Sequence, residues 1–441
     1  MAEEETRLAT EYAERYEIQS TFVNALTNLF KKHPDDPMGF LYDQIVPKAA
    51  APIINKVVGR EVLDSQGYPV LEVEVWGRVY GKPELLSTAS SPSADCPPSD
   101  AFVMVDASAS RFHHMGVRQS VSLVTSALQP VLENRQFSNQ SDLDESISTC
   151  DGTPNFKKLG VNTSMSTSAA IAIAASEILR IPLFIHISRS LSHKSQLSLP
   201  RPCFALLNIK SGPISRVYLL PSPTVPIDEQ VRIIGEIYSH YEQSIHSPLC
   251  ADGCFPLEAA GLDDILASIE IAVSGGGHTL GDDVFLGFCG SSEATPQFWL
   301  DLLEQSSVVA FIEDPIMYDD SINWKKIVSA LGDKGLVAMG KGIYSRPERI
   351  SNELECSAVI IKPPQVGTIT KAVQAADKAE KCSRRIVMST SSRETHNTWI
   401  CDLAVATGAT LLLLGPPARG ENVAKINRLL EIAREMEIDY N

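Results

Sequence analysis

The sequence predicts an α/β protein whose C-terminal half closes into an eight-stranded β/α barrel. Three observations carry this. Beyond residue 200, apolar runs of strand length recur at 204–208, 217–221, 279–283, 308–313, 336–339, 359–362, 386–389 and 411–414. Buried parallel strands appear as short continuous apolar runs of this kind. Amphipathic helical stretches separate the later runs, as crossover connections require, and the last extends from 422 to 436. The first two runs have no helix between them, whereas two helical stretches, at about 226–246 and 261–273, follow the second. The barrel, residues 200–436, is therefore predicted to open ββαα.

Before the barrel, residues 8–46 read as a helical hairpin. Phe22, Val23, Leu26, Leu29 and Phe30 recur at helical spacing and make one apolar stripe. Lys31, Lys32 and His33 suit the negative end of the helix dipole, and Pro34 stops it. Asp36-Pro37 is a cap followed by a first-turn proline; Met38, Leu41, Tyr42 and Ile45 form the second stripe. Residues 53–195 read as an α+β domain. Strands are predicted at 56–63 and 70–79 around the turn Asp64-Ser65-Gln66-Gly67-Tyr68-Pro69, then a Ser/Pro-rich loop at 87–100 and helices at about 114–134 and 163–180.

Composition bounds the function. A chain of 441 residues with 44% hydrophobic content supports a large core, and a net charge of −16 argues against nucleic acid or anionic membrane as a partner. Met1-Ala2-Glu3-Glu4-Glu5 has no apolar core, so no signal peptide is expected, and no run is long enough to span a bilayer. Nine scattered cysteines read as reduced thiols, which implies a cytoplasmic protein.

Barrel active sites lie at strand C-termini, so polar residues ending the runs are the candidates. Lys362 follows Val359-Ile360-Ile361 and is expected to point into the mouth, where burial and neighbouring cations lower an ammonium's pKa. Glu313 ends the fourth run and Asp283 the third, with Asp282 one residue away as an alternative register.

The ββαα opening behind an α+β domain resembles the enolase family. The likeness runs through Arg60-Glu61-Val62-Leu63-Asp64-Ser65, Asp151-Gly152-Thr153, Gly160-Val161-Asn162 and Ile312-Glu313-Asp314-Pro315. It continues through Ile361-Lys362-Pro363-Pro364-Gln365-Val366-Gly367-Thr368, Glu394-Thr395 and Gly415-Pro416-Pro417-Ala418-Arg419, spanning 53–436 in order. The hairpin, through Leu26-x-x-Leu29-Phe30 and Asp36-Pro37-Met38-Gly39-Phe40-Leu41, resembles the docking and dimerisation motif of Dumpy-type proteins. The hairpin and the altered site residues given next are together most similar to the divergent sperm-type branch of the family.

The resemblance implies removal of a proton α to a carboxylate in 2-phosphoglycerate and expulsion of hydroxide, assisted by two magnesium ions. It makes Lys362 the base, Glu313 and Asp283 magnesium ligands, Ser93 a ligand of the second ion, Ser392 a substrate contact and Asp252 one member of an acid pair. It also exposes losses. The third metal carboxylate falls on Lys341 or Gly340, the second catalytic lysine on Leu413, a histidine and an arginine on Thr390 and Ser391, and the other acid on Arg216. The glycine-rich loop is shortened to Lys210-Ser211-Gly212.

The expectation is an enolase-like protein with an eroded site, serving as a structural or docking component. The alternative is a working or weak phosphopyruvate hydratase; a third reading is altered chemistry on another carboxylate. Magnesium is implied if the chain is active, and no cofactor if it is not. A homodimer and a protein partner held by the hairpin are the expected assemblies, in the cytoplasm and in a flagellar or ciliary cytoskeleton.

Overall fold

The computed structural model describes residues 2–92, 101–106, 110–192, 194, 196–245, 247–258, 261–344 and 346–438. Three N-terminal helices come first, α1 (Ala2–Arg15), α2 (Ile18–Lys32) and α3 (Pro37–Ile45), where the sequence predicts two. The Asp36 side chain caps α3 by accepting from the Gly39 amide, with Pro37 in the first turn. Most of the α2 stripe faces solvent: Phe22, Val23, Leu26 and Phe30 are exposed, as are Met38 and Tyr42 on α3.

The next domain is built on an antiparallel sheet of β1 (Ile53–Leu63), β2 (Pro69–Val79) and β3 (Lys82–Ser90). The sequence reading missed β3, and with it the helix α4 (Gln140–Asp151). Helix α5 (Val161–Leu179) lies on β2 and β3, and its alanine- and serine-rich surface is buried almost all round. Small side chains permit that close approach of helix to sheet.

The barrel strands are β4 (Arg201–Ile209), β5 (Ile214–Pro221), β7 (Val284–Gly290), β8 (Val309–Glu313), β9 (Leu336–Met339), β10 (Ala358–Ile361), β11 (Arg385–Ser389) and β12 (Leu411–Leu414). β12 pairs with the start of β4 to close the eight, and a three-residue strand β6 (Phe255–Leu257) pairs with the end of β4, at Leu207–Ile209, on the edge away from β5. Two helices, α6 (Ile227–Ser244) and α7 (Leu262–Gly275), connect β5 to β7, so the ββαα opening is present. β5 runs antiparallel to both β4 and β7, and every other barrel pairing is parallel. The start of β5, not its end, therefore faces the mouth.

The barrel interior is filled by Ala205, Tyr218, Phe311, Ile360, Val387 and Leu413 among others, a packed core and not a pore. A larger apolar layer lies between strands and surrounding helices. Among the described residues, no single helix is long and apolar enough to cross a membrane.

One strand differs from the reading. The third run is Val284–Gly290, not 279–283. Residues 279–283 form a turn in which Gly281 has φ +90° and the Asp283 carboxylate accepts from the Thr279 amide. The Ser222 amide, just beyond the far end of β5, donates to the Asp283 carbonyl. Asp283 thus lies at the foot of the barrel, on the rim opposite Glu313.

Candidate functional site at the barrel mouth

The mouth contains a cleft of about 500 Å³ to which Glu313, Lys341 and Lys362 all contribute. Each stands at or just beyond the C-terminus of its strand, β8, β9 and β10. Of the residues singled out in the sequence, Ser392 and Arg216 also line this cleft. Asp252 lines an adjoining void of about 20 Å³ that shares Arg216, Tyr218 and Ser392 with it. Asp283 is at the other rim, so it cannot join Glu313 in holding a ligand. Ser93 lies outside the described residues.

Glu313 is buried, and both its oxygens are taken: Tyr218 donates to Oε2 at 2.7 Å and Tyr344 to Oε1 at 2.8 Å. Burial, and then the Glu313 charge, push both phenols well above their ordinary pKa, so they stay protonated and donate. Neither tyrosine is visible to a reading of strand ends. Tyr218 lies mid-strand on the reversed β5, and Tyr344 lies in the loop after β9.

Asp314, next in sequence, takes φ +43° and accepts from the Gly340 amide at 2.8 Å and the Lys341 amide at 3.1 Å. Burial, then the neighbouring Glu313 charge, raise its pKa to about 6. Gly340 lies against the Tyr344 ring, and a side chain there would collide with it. The chain therefore leaves β9 with Lys341 as the first side chain beyond the strand. Its ammonium donates to the Gly290 carbonyl at 3.3 Å, while that of Lys362 sits 4.6 Å from the centre of the Tyr344 ring.

On the opposite wall, Arg216 and Asp252 pair at 2.9 Å, and Asn208 bridges them by accepting from the arginine at 2.8 Å and donating to the carboxylate at 3.0 Å. The Asp252 acid is thereby committed to a guanidinium. Leu413 packs inside the barrel at 3% exposure, where no ammonium could replace it without desolvation. Ser392 belongs to the loop after β11, which the second domain holds from above. There Arg393 reaches Asp64 at 2.7 Å and the Gln66 side chain donates to the Ser392 carbonyl.

Magnesium demands oxygen ligands in a near-octahedral array. At the mouth, β7 ends in Cys289-Gly290, with Cys289 registered opposite Glu313. Burial, then the Glu313 charge, push the Cys289 thiol up, keeping it a neutral and soft donor. Beyond β9 stands the Lys341 ammonium. One carboxylate already holding two phenols, flanked by a thiol and a cation, does not fit a divalent magnesium site. Among the described residues, no group of three or more His, Cys, Asp or Glu side chains is placed to hold a metal.

Comparison with known proteins agrees with this architecture. Residues 54–187 match the family described as "Enolase, N-terminal domain", and residues 289–440 match "Enolase, C-terminal TIM barrel domain". The chain is 30% identical over 430 residues to "Enolase B" of Dictyostelium discoideum, covering 87% of this chain and 95% of that protein. It is 29% identical over 417 residues to "Enolase" of Mycobacterium leprae (strain TN), with the same 87% and 95% coverage. By domain order, barrel topology and extent of match, the chain belongs to the enolase family.

Proposed function

We propose that this chain is an enolase-shaped structural or docking component with little or no capacity to dehydrate 2-phosphoglycerate. The observation that carries this reading is the trio ending β7, β8 and β9: a thiol, one internally bonded carboxylate and an ammonium. Enolase chemistry builds a doubly charged intermediate, so it depends on concentrated positive charge opposite the substrate carboxylate. With Leu413 aliphatic and Asp252 tied to Arg216, the second ammonium and the acid pair are also missing. Losing one acid or base costs roughly 10²–10⁴-fold. Losing one electrostatic donor costs about 10²–10³-fold. These effects are not additive, but several roles are vacant at once.

The exposed stripe of Phe22, Val23, Leu26 and Phe30 supports a docking role, because contiguous exposed apolar surface marks association sites. Its likeness to a Dumpy-type hairpin, and that of the whole chain to the sperm-type branch, favour a protein partner in a flagellar or ciliary cytoskeleton. The enolase-like core forms a homodimer.

A coupled assay for phosphoenolpyruvate tests the central claim. With excess magnesium and 2-phosphoglycerate, turnover is expected at least about 10³-fold below an ordinary enolase. A rate within about tenfold of normal, a barrier difference near 1.4 kcal/mol, overturns the reading.

A further inference from the structure

The foot of the barrel, on the rim away from Glu313 and Lys362, carries two arginines on its inner face. Successive side chains of a strand alternate faces. Arg201 on β4 therefore shares the inward face with the core residues Cys203 and Ala205, and Arg385 on β11 shares it with Val387. β12 lies between the two strands, pairing Leu411 with Arg201 on one side and with Val387 on the other. Adjacent strands lie about 4.8 Å apart, so two long side chains separated by one strand can converge on a single ligand. Both arginines line a cavity of about 580 Å³.

Neither charge is neutralised by an acid. Arg201 is half-buried; its Nε donates to the Pro221 carbonyl at 2.7 Å and its Nη2 to the Leu220 carbonyl at 3.1 Å. The same guanidinium lies 5.2 Å from the centre of the Phe285 ring. These contacts fix its plane and leave Nη1 without a hydrogen-bond partner among the described residues. Burial lowers its pKa to about 10, so the group stays cationic at neutral pH. Among the described residues, no carboxylate oxygen comes within the 4.0 Å of Arg201 or Arg385 that defines an ion pair. Asp283, also at the foot, accepts from the Thr279 amide and faces His278 at 3.9 Å. Asp333 lines the cavity, but Lys334 beside it does too; both are exposed on the turn before β9, and their charges cancel.

The rest of the lining is mostly apolar. Ser198 and Thr410 add hydroxyls, while Leu199, Leu220, Leu336 and Leu411 supply aliphatic wall. A guanidinium held in one plane with a free end matches the two oxygens of a carboxylate. We propose that this cavity binds a small organic carboxylate with an apolar body, its head held by Arg201 and Arg385 and its body against the leucines. A bare inorganic anion would leave the aliphatic wall wet, and a neutral apolar molecule would leave the arginines unmatched. The site is at the opposite end of the barrel from the mouth, so it stands whether or not the mouth is catalytic.

Equilibrium dialysis of the full-length protein with radiolabelled octanoate tests it, with labelled acetate and unlabelled octyl phosphate for comparison. The expected result is saturable octanoate binding, weakened by salt and at least about tenfold tighter than acetate, because buried methylenes add to affinity. Octyl phosphate at equal concentration should displace less than half of the octanoate. Arg385→Met should weaken binding about tenfold or more, the loss usual for a charge-assisted hydrogen bond. Arg201→Lys, which keeps a cation at the foot but removes the planar fork, should do the same. Lys82→Met, on the exposed start of β3 in the second domain, should leave binding unaltered. Absence of octanoate binding overturns the proposal, as does binding that survives both arginine substitutions. Acetate binding as tight as octanoate would remove the apolar half of the site, and stronger binding of octyl phosphate would overturn the choice of carboxylate.

Discussion

The Tyr344 hydroxyl donates to Glu313 at 2.8 Å while the face of the same ring carries the Lys362 ammonium at 4.6 Å. One side chain from a loop thus joins the carboxylate ending β8 to the lysine following β10. Tyr218 completes the arrangement from β5, so a buried carboxylate is satisfied by two neutral donors and no cation. Removing one partner of a buried polar group costs more than the bond itself contributes. Tyr344→Phe and Tyr218→Phe are each expected to lower stability by about 1–3 kcal/mol, measured by urea unfolding. Because both act on Glu313, the double variant should depart from additivity. Wild-type stability in both single variants would mean Glu313 does not depend on these phenols.

The metal preference of the mouth should be restorable in steps. Wild-type protein is expected to show no rise in melting temperature with millimolar magnesium. Lys341→Asp alone places two carboxylates at the mouth, because Asp283 sits at the other rim, and should gain little. Cys289→Asp combined with Lys341→Asp gives three neighbouring strand ends an acid each, and magnesium should then stabilise the protein. Binding at a hundred times the dissociation constant would contribute about 2.7 kcal/mol. A magnesium response in the wild type would show that Glu313 holds metal despite its neighbours.

Asp314 gives a pH signature. Its pKa rises from the ordinary 3.8 to about 6 in the folded protein, because burial and the adjacent Glu313 charge disfavour ionisation. Between these values the native state holds a proton that the unfolded chain lacks, so stability from this group declines as pH rises through the window. Lowering pH from about 7 to about 5 should stabilise the wild type by about 1 kcal/mol relative to Asp314→Asn. Asparagine can keep the amide acceptor and the left-handed backbone, so the variant remains a fair reference. Parallel pH profiles for the two proteins would refute the shift.

Lys425 is 1% exposed and pairs with the buried Glu394 at 3.0 Å, while also donating to the Thr395 carbonyl at 2.8 Å. Lys425→Met leaves a buried carboxylate without its cation and should cost about 3–5 kcal/mol. Adding Glu394→Gln should recover part of the loss, which denaturant unfolding of the single and double variants will measure.

Deleting residues 1–50 should leave the two enolase-like domains folded, since the stripe on α2 is exposed and not part of their core. Sedimentation and circular dichroism decide. A change of association state is expected, with helical signal lost only to the extent of the deleted α1, α2 and α3, and loss of cooperative unfolding would show that the hairpin supports the core.

Much of the fold is legible because buried parallel strands cannot conceal their apolar runs. Seven of the eight fall where the sequence puts them, within the usual uncertainty of strand ends. The third was displaced because Val284–Gly290 ends in cysteine and glycine, so reading for a terminal acid pulled the boundary back to Asp283, a turn residue. The site is legible only where a strand ends in a polar residue and runs with its neighbours. Lys362, Glu313 and Lys341 satisfy that condition. Tyr218 does not, because β5 is reversed and its mouth-facing end comes first. Tyr344 comes from a connection whose path is set by Asp314 gripping two amides, a tertiary fact with no periodicity to betray it. Helix α1 was missed because its large apolar residues Leu8 and Tyr12 are few among acids, and they are exposed in the fold.

The contact between Gly340 and the Tyr344 ring makes position 340 closed to side chains. Any residue larger than glycine there would displace the ring and strip the buried Glu313 of a donor. An acid can therefore be installed at 340 only together with a second substitution that removes or shrinks Tyr344. Stability, and not the chemistry such an acid would bring, decides which single changes this position accepts.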